Sequence, residues 1–379
     1  MHELEFLKNK LIIRKENNSF RELKLFNHTC TNKNIIDFSS NDYLGLARSD
    51  LLKNSADKIC NEFNARNNGS TGSRLISGNS PLHQFAEKKA AGFFNSERTL
   101  IFGCGYMANL GLMSCIATRH DTIIYDEFIH ASLRDGIRLS NAQNYSFRHN
   151  DLGDLEKKIK KSKGEVFIVI ETLYSMDGDE PDLKELVRLA ESKGCHLIAD
   201  EAHSVGLFGN QGRGLINQYN LENKFLARIF PFGKAMGNYG AIISGSEALI
   251  EYLINFSRPF IYNTALPNIN IAMMLASLNI IPTLDNERKI LFENIQYFQN
   301  SEKKFKPHNS TLTPIQVIFI PDNNKIKKMS QILSEKSLYV VPILAPTVPE
   351  GSERFRITIH SYNTKKEIDL LINSLAIDV

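Results

Sequence analysis

Between residues 98 and 230 the chain alternates short apolar runs with stretches in which apolar residues return every three or four positions. The short runs are TLIF (99–102), TIIY (122–125), VFIVI (166–170), CHLIA (195–199) and ARIF (227–230). VFIVI is apolar without a break, the mark of a strand covered on both faces. Helices are expected from about Met107 and over Ser132–Leu139. Asp182, with Glu185 three residues on, has the pattern that opens a helix, and Leu183, Leu186, Val187 and Ala190 then share one face. Gly194 is placed to end that helix. Strand, helix and strand in succession predict parallel strands joined by right-handed crossovers. The expected fold class is therefore α/β, with a large, mostly parallel sheet.

The pattern changes towards the C-terminus. IQVIFI (315–320), LYVVPI (338–343) and RFRITI (354–359) read as strands around a helical segment. Thr364 and Glu367 then cap a last helix carrying Ile368, Leu371, Ile372 and Leu375. The expected organisation is an N-terminal segment (1–45), a large α/β domain (46–280) and a small α+β domain (281–379). Thr99 to Thr118 is free of charge, but its glycines and Asn109 favour a strand, a turn and a buried helix over a membrane span.

Composition narrows the function classes. The 379 residues are 42% hydrophobic and 23% charged, ordinary for a soluble enzyme-sized chain. Lys+Arg 45 against Asp+Glu 42 leaves +3, too small an excess for an electrostatic nucleic-acid binder. The basic runs at 157–163, 303–306 and 325–328 read as solvated surface. Five scattered cysteines and an N-terminus without an apolar core point to a reduced, cytoplasmic protein. No nucleic-acid and no membrane partner is expected.

Several motifs carry chemistry. Gly103-Cys104-Gly105-Tyr106-Met107-Ala108 matches G-x-G-x-x-A, and Asp126 lies about twenty residues on, as in a dinucleotide-binding turn. The same turn seats any phosphate on a helix N-terminus. Asp200-Glu201-Ala202-His203 ends a strand but has no phosphate loop upstream, which removes the ATPase reading. His196, Asp200, Glu201 and His203 lack the spacing of an open metal site, so no metal is expected.

A phosphorylated pyridine aldehyde needs a lysine for a Schiff base, a carboxylate for its ring nitrogen, an amide-lined phosphate seat and a flat group against the ring. Lys234 in FPFGKAMGNYG, Asp200 at its strand end, the GCGY turn and His130 in DEFIHASLRDG supply these types. His203 and Ser175 are candidates for the ring oxygen.

Taken together, these segments resemble the pyridoxal-phosphate-dependent α-oxoamine synthase family, of aspartate-aminotransferase fold (fold type I). The similarity runs in family order through FSSNDYLGL (38–46), STGSRLISGN (70–79), GCGYMAN (103–109), DEFIHASLRDG (126–136), ETLYSMDGD (171–179), ADEAHSVG (199–206), GRG (212–214), FGKAMG (232–237), IYNTALP (261–267) and PTVPEGSERFRIT (346–358). FSSNDYLGL, IHASLRDGIRLS and FRHNDLGDLE (147–156) are most similar to members that join alanine to a pimeloyl thioester in biotin synthesis.

The resemblance implies pyridoxal 5'-phosphate bound covalently by Lys234, with Asp200 at the pyridine nitrogen and His130 stacked on the ring. It places Ser175 and His203 near the ring oxygen, and Gly105, Tyr106 and Thr264 at the cofactor. Arg21, Asn41, His130, Thr347 and Arg356 fall on the substrate side, Arg356 gripping the amino-acid carboxylate. It implies a decarboxylative condensation whose acyl thioester is carried by coenzyme A or an acyl carrier protein, in a homodimer. Siblings use glycine or serine with other acyl groups. The other classes open to the chain are an NAD-dependent dehydrogenase and a non-catalytic relative. Two positions depart from the family: Pro231 stands where Thr is usual, and Leu344 replaces an arginine common in close relatives.

Overall fold

The computed structural model describes residues 4–16, 20–23, 35–65, 67–300, 311–345, 348 and 350–376. The chain divides into two compact units: Asn41–Ile290, and Met1–Ser40 together with Leu291–Val379.

The first unit is built on a seven-stranded sheet. Its strands are β1 (Arg98–Phe102), β2 (Thr122–Asp126), β3 (Gln143–Phe147), β4 (Val166–Glu171), β5 (His196–Asp200), β6 (Ala227–Pro231) and β7 (Ala241–Gly245). Their order across the sheet is β1-β7-β6-β5-β4-β2-β3. Only the two pairings made by β7 are antiparallel; the remaining four are parallel. The C-terminal ends of β1, β2, β4, β5 and β6 therefore share one edge. That is the edge where open α/β sheets hold their ligands.

Alternate residues of each strand face opposite layers, as a two-residue period requires. Ile123, Val169, Ile198 and Ile229 join one core with Leu112, Leu133 and Ile137. Ile124, Ile168, Ile170, Leu197 and Ala199 join another with Leu186, Val187 and Ala190. Both faces are covered, which explains the unbroken apolar runs. The uncharged stretch 99–118 resolves into β1, a glycine turn and the nine-residue helix α1 (Gly105–Met113). Among the described residues no helix is long and apolar enough to cross a membrane.

Helix α2 is Ala131–Leu139 and α3 is Leu183–Lys193. Asp182 accepts the Glu185 amide at 3.0 Å to open α3. Gly194, at φ 65°, closes it in the left-handed region that glycine tolerates.

The second unit holds a three-stranded antiparallel sheet in the order Pro342–Ile343, Arg354–Thr358, Ile315–Phe319. The expected strand LYVVPI is two short pieces. Leu338–Tyr339 pairs with Ile36–Asp37, while Pro342–Ile343 pairs with Arg354–Phe355. Pro342 lacks the N–H that an uninterrupted strand would use. Thr364 and Glu367 form a complete capping box on Lys365–Leu375.

Candidate active site

Five segments meet at the C-terminal edge of the first unit's sheet. Asp200 ends β5 and is buried. Its Oδ2 accepts Asn109 Nδ2 at 2.8 Å and its Oδ1 accepts the Ala202 amide at 2.9 Å. Both donors are neutral, so the carboxylate keeps acceptor capacity for a protonated ring nitrogen.

Glu171 ends the neighbouring β4 in register with Asp200. Burial pushes its carboxyl up to about 8, with the Asp200 charge adding and Lys234 and the His130 amide opposing. The His130 amide donates to Glu171 Oε1 at 2.5 Å. His130 itself is the N-cap of α2, its Nδ1 2.7 Å from Ser132 Oγ. His130 is exposed on its outer side, yet desolvation by the protein around its ring lowers its pKa; the Lys234 charge adds to this and Asp200 opposes it. Lys234, Asp200, Glu171 and His130 thus form one electrostatic cluster.

Lys234 lies on the turn after β6, closed by Gly237 N to Lys234 O at 2.8 Å and Asn238 N to Phe232 O at 2.9 Å. At this edge too, the β1–α1 turn presents its backbone. Cys104 caps α1 without a side-chain hydrogen bond, leaving the first amides of the helix for an anion. A Cβ on Gly105 would lie 2.9 Å from both Cβ and Cγ of Pro231. Pro231 thus forms the wall of the turn, and a side chain larger than glycine's would have to displace it. The helix amides would suit a phosphate, and the Asp200 carboxylate a protonated ring nitrogen, so the residues present fit pyridoxal phosphate.

The other sequence candidates fall as follows. His203 is buried, its Nδ1 2.6 Å from Tyr43 Oη, which donates to Asn41 Oδ1 at 3.1 Å. Ser175 is half-buried on the loop after β4. Tyr106 is exposed and its hydroxyl donates to Asp135. Thr264 is exposed and bridged to Ser73, with Ala265 N bonded to Gly72 O at 2.9 Å. Asn263 Nδ2 comes within 3.3 Å of where a Gly103 Cβ would stand. Arg21 and Arg356 belong to the second unit, where Arg356 Nη1 donates to Thr358 Oγ1 at 3.1 Å. Thr347 lies outside the described residues, as does the basic run 303–306.

The residues of the dinucleotide and metal motifs are placed as follows. Asp126 is fully buried and accepts the amides of Phe128 and Asn150, so it is not the free carboxylate that a dinucleotide ribose needs. His196 opens β5 at the opposite end from Asp200 and pairs with Glu165 at 2.9 Å. Among the described residues no three His, Cys, Asp or Glu side chains are grouped to hold a metal ion.

Sequence reasoning did not single out Glu171 or Asn109. Both lie inside quoted motifs, ETLYSMDGD and GCGYMAN, and the signal was their place beside the strand-end positions already chosen. GRG also gains a reason: a Cβ on Gly214 would lie 2.2 Å from Glu201 Oε2.

The model of the class I and II aminotransferases matches residues 33–375. The chain is 34% identical to 8-amino-7-oxononanoate synthase 1 of Bacillus velezensis, covering 97% of this chain and 96% of the relative. The solved 8-amino-7-oxononanoate synthase of Francisella tularensis superposes with a TM-score of 0.78 at 32% identity, over 90% of this chain and 97% of that one. Serine palmitoyltransferase from S. paucimobilis, with a bound PLP–myriocin aldimine, gives 0.84 at 28% identity over 90% and 86%. The chain belongs to the pyridoxal-phosphate-dependent class I and II aminotransferase family of fold type I, and within it to the 8-amino-7-oxononanoate synthases, the acyltransferase-type α-oxoamine synthases of biotin synthesis.

Proposed function

We propose that the chain catalyses the decarboxylative condensation of L-alanine with a pimeloyl thioester, of coenzyme A or an acyl carrier protein, to give 8-amino-7-oxononanoate. The observation that carries this is the cluster of Lys234, Asp200 and His130 beside the Gly103–Gly105 turn, all on one sheet edge. Further support comes from the names of the relatives.

When bound, pyridoxal phosphate supplies an electron sink for the amino-acid α-carbon. Lys234 would hold the cofactor covalently, and its amine would take the α-proton of the bound amino acid. Asp200 keeps the ring nitrogen protonated, helped by the Asn109 amide that fixes its carboxylate. His130 would flank the ring and would give a proton to the thioester or keto oxygen. His203, oriented by Tyr43, and Ser175 hydrogen-bond the ring oxygen. The amides of Gly105 and Tyr106 hold the phosphate. The family resemblance assigns Arg356 to the substrate carboxylate, as a two-pronged donor, and Arg21, Asn41 and Thr347 to substrate binding. Thr264 reaches the cofactor of a second subunit in a homodimer, and the enzyme works in the cytoplasm.

A sibling activity, glycine or serine with another acyl thioester, is favoured by Leu344 and by the likeness to serine palmitoyltransferase. Assay of alanine, glycine and serine, each with pimeloyl, acetyl and succinyl thioesters, separates the two. Alanine with the pimeloyl thioester is expected to turn over at least about ten-fold faster than any other pair, a difference near 1.4 kcal/mol. Faster turnover of glycine or serine would overturn the substrate assignment and leave the cofactor chemistry standing.

A further inference from the structure

FRHND (147–151) has no part in the chemistry above, yet its histidine joins the two segments that carry His130 and Ser175. His149 Nδ1 lies 2.9 Å from Asp126 Oδ1, and Nε2 lies 2.8 Å from Asp179 Oδ2. Asp126 closes β2 shortly before His130, and Asp179 follows Ser175 on the loop after β4.

Both carboxylates already act as acceptors. Asp126 Oδ1 accepts the Phe128 amide at 2.8 Å and Oδ2 the Asn150 amide at 2.9 Å. Asp179 Oδ2 accepts Asn150 Nδ2 at 2.7 Å. A neutral imidazole has a single N–H, so two accepting carboxylates at its two nitrogens call for the doubly protonated ring. The ring is sandwiched as well, stacked on Phe128 at 4.4 Å and met edge-on by Tyr174 at 4.5 Å. Its backbone is tied to the same segment, His149 N donating to Glu127 Oε1 at 2.9 Å. The side chain is 16% exposed. Around the ring stand Asp126 and Phe128 from the end of β2 and its loop, Tyr174 and Asp179 from the loop after β4, and Asn150 from its own segment.

We propose that His149, held as an imidazolium between Asp126 and Asp179, is a positioning residue. It locks the segment bearing His130 to the segment bearing Ser175 and so sets the shape of the cofactor pocket. The proposal rests on the assignment of His130 and Ser175 to that pocket.

The charges agree with the geometry. Burial alone would lower the imidazole, but the hydrogen bonds and charges of Asp126 and Asp179 raise it to about 10. The folded value lies above the ordinary 6.5, so the clamp contributes fully below about pH 6.5 and is lost as pH rises through 10.

The test uses holoenzyme carrying His149→Gln or Asp179→Asn. Asp179→Asn leaves the Asp126–His149 pair whole and weakens only the link to the second segment, so it remains informative should His149→Gln fail to fold. In folded protein with unchanged far-ultraviolet circular dichroism, cofactor affinity is expected to fall about ten-fold, the lower end of what removal of outer partners costs at metal sites. The visible circular dichroism band of the bound cofactor is expected to fall with it. Asp179→Asn with affinity within two-fold of wild type and an unchanged band overturns the proposal, even if its melting temperature drops. A wild-type protein that shows no such band overturns the site assignment, and the proposal with it.

Discussion

Glu171 and Asp200 are register partners at the ends of adjacent parallel strands, two buried acids side by side. Such a pair does not ionise together without cost, and the fold divides the burden. Asp200 takes two neutral donors, while the Glu171 carboxyl is pushed up to about 8, by burial first. The sign of the consequence follows. The native state holds a proton there that the unfolded chain releases near the ordinary 4.5, so stability falls as pH rises from about 4.5 to 8. Glu171→Gln is expected to flatten that part of the curve of cofactor-free protein, read as melting temperature at intervals from pH 5 to 8. An unchanged slope would show that Glu171 is ionised throughout. Asp200 and Lys234 were legible from motif and strand-end position. Glu171 was not, because its burial is decided by which strand lies beside β4, and no local pattern states that.

At the scale of elements, the parallel core was legible because both of its faces are apolar, which writes unbroken runs into the sequence. β3 was not: QNYSF is an edge strand with mostly exposed side chains and carries no such run. β7 was missed because it follows the Lys234 turn directly, with no helix to announce a crossover, and pairs antiparallel on both sides. Helix α1 begins at Gly105 rather than near Met107, since Cys104 caps it without the polar side chain that marks a helix start. The packing of α1 against β6 has a direct test. Gly105→Ala drives a methyl to 2.9 Å from Pro231, an overpacking expected to cost about 1–3 kcal/mol in urea unfolding. Cofactor affinity, measured by absorbance titration, is expected to fall with it. A variant equal to wild type in both measurements would show that the turn relaxes freely.

At the scale of the whole molecule, several large apolar side chains of the first unit are exposed. Ile76 is 86% exposed and Tyr262 71%, with Leu75, Tyr106 and Tyr239 also exposed. The Ser73–Thr264 bridge and the contact of Tyr239 with Cys104 bring these residues around the candidate site. Exposed apolar side chains of this kind suit an interaction surface. A second copy of the chain is the expected cover, so light scattering under assay conditions should give twice 42.9 kDa; an active species of single-chain mass would contradict the homodimer. The motif order along the chain made the family legible at this scale, whereas the return of Ile36–Asp37 to pair with Leu338–Tyr339 is a long-range contact that no window of sequence contains. The chemistry as a whole depends on one covalent attachment. Borohydride reduction of the holoenzyme followed by peptide mapping is expected to place the pyridoxyl label on Lys234, and Lys234→Ala to lose synthase turnover. A label on another lysine, or full turnover without the Lys234 amine, would contradict the assignment.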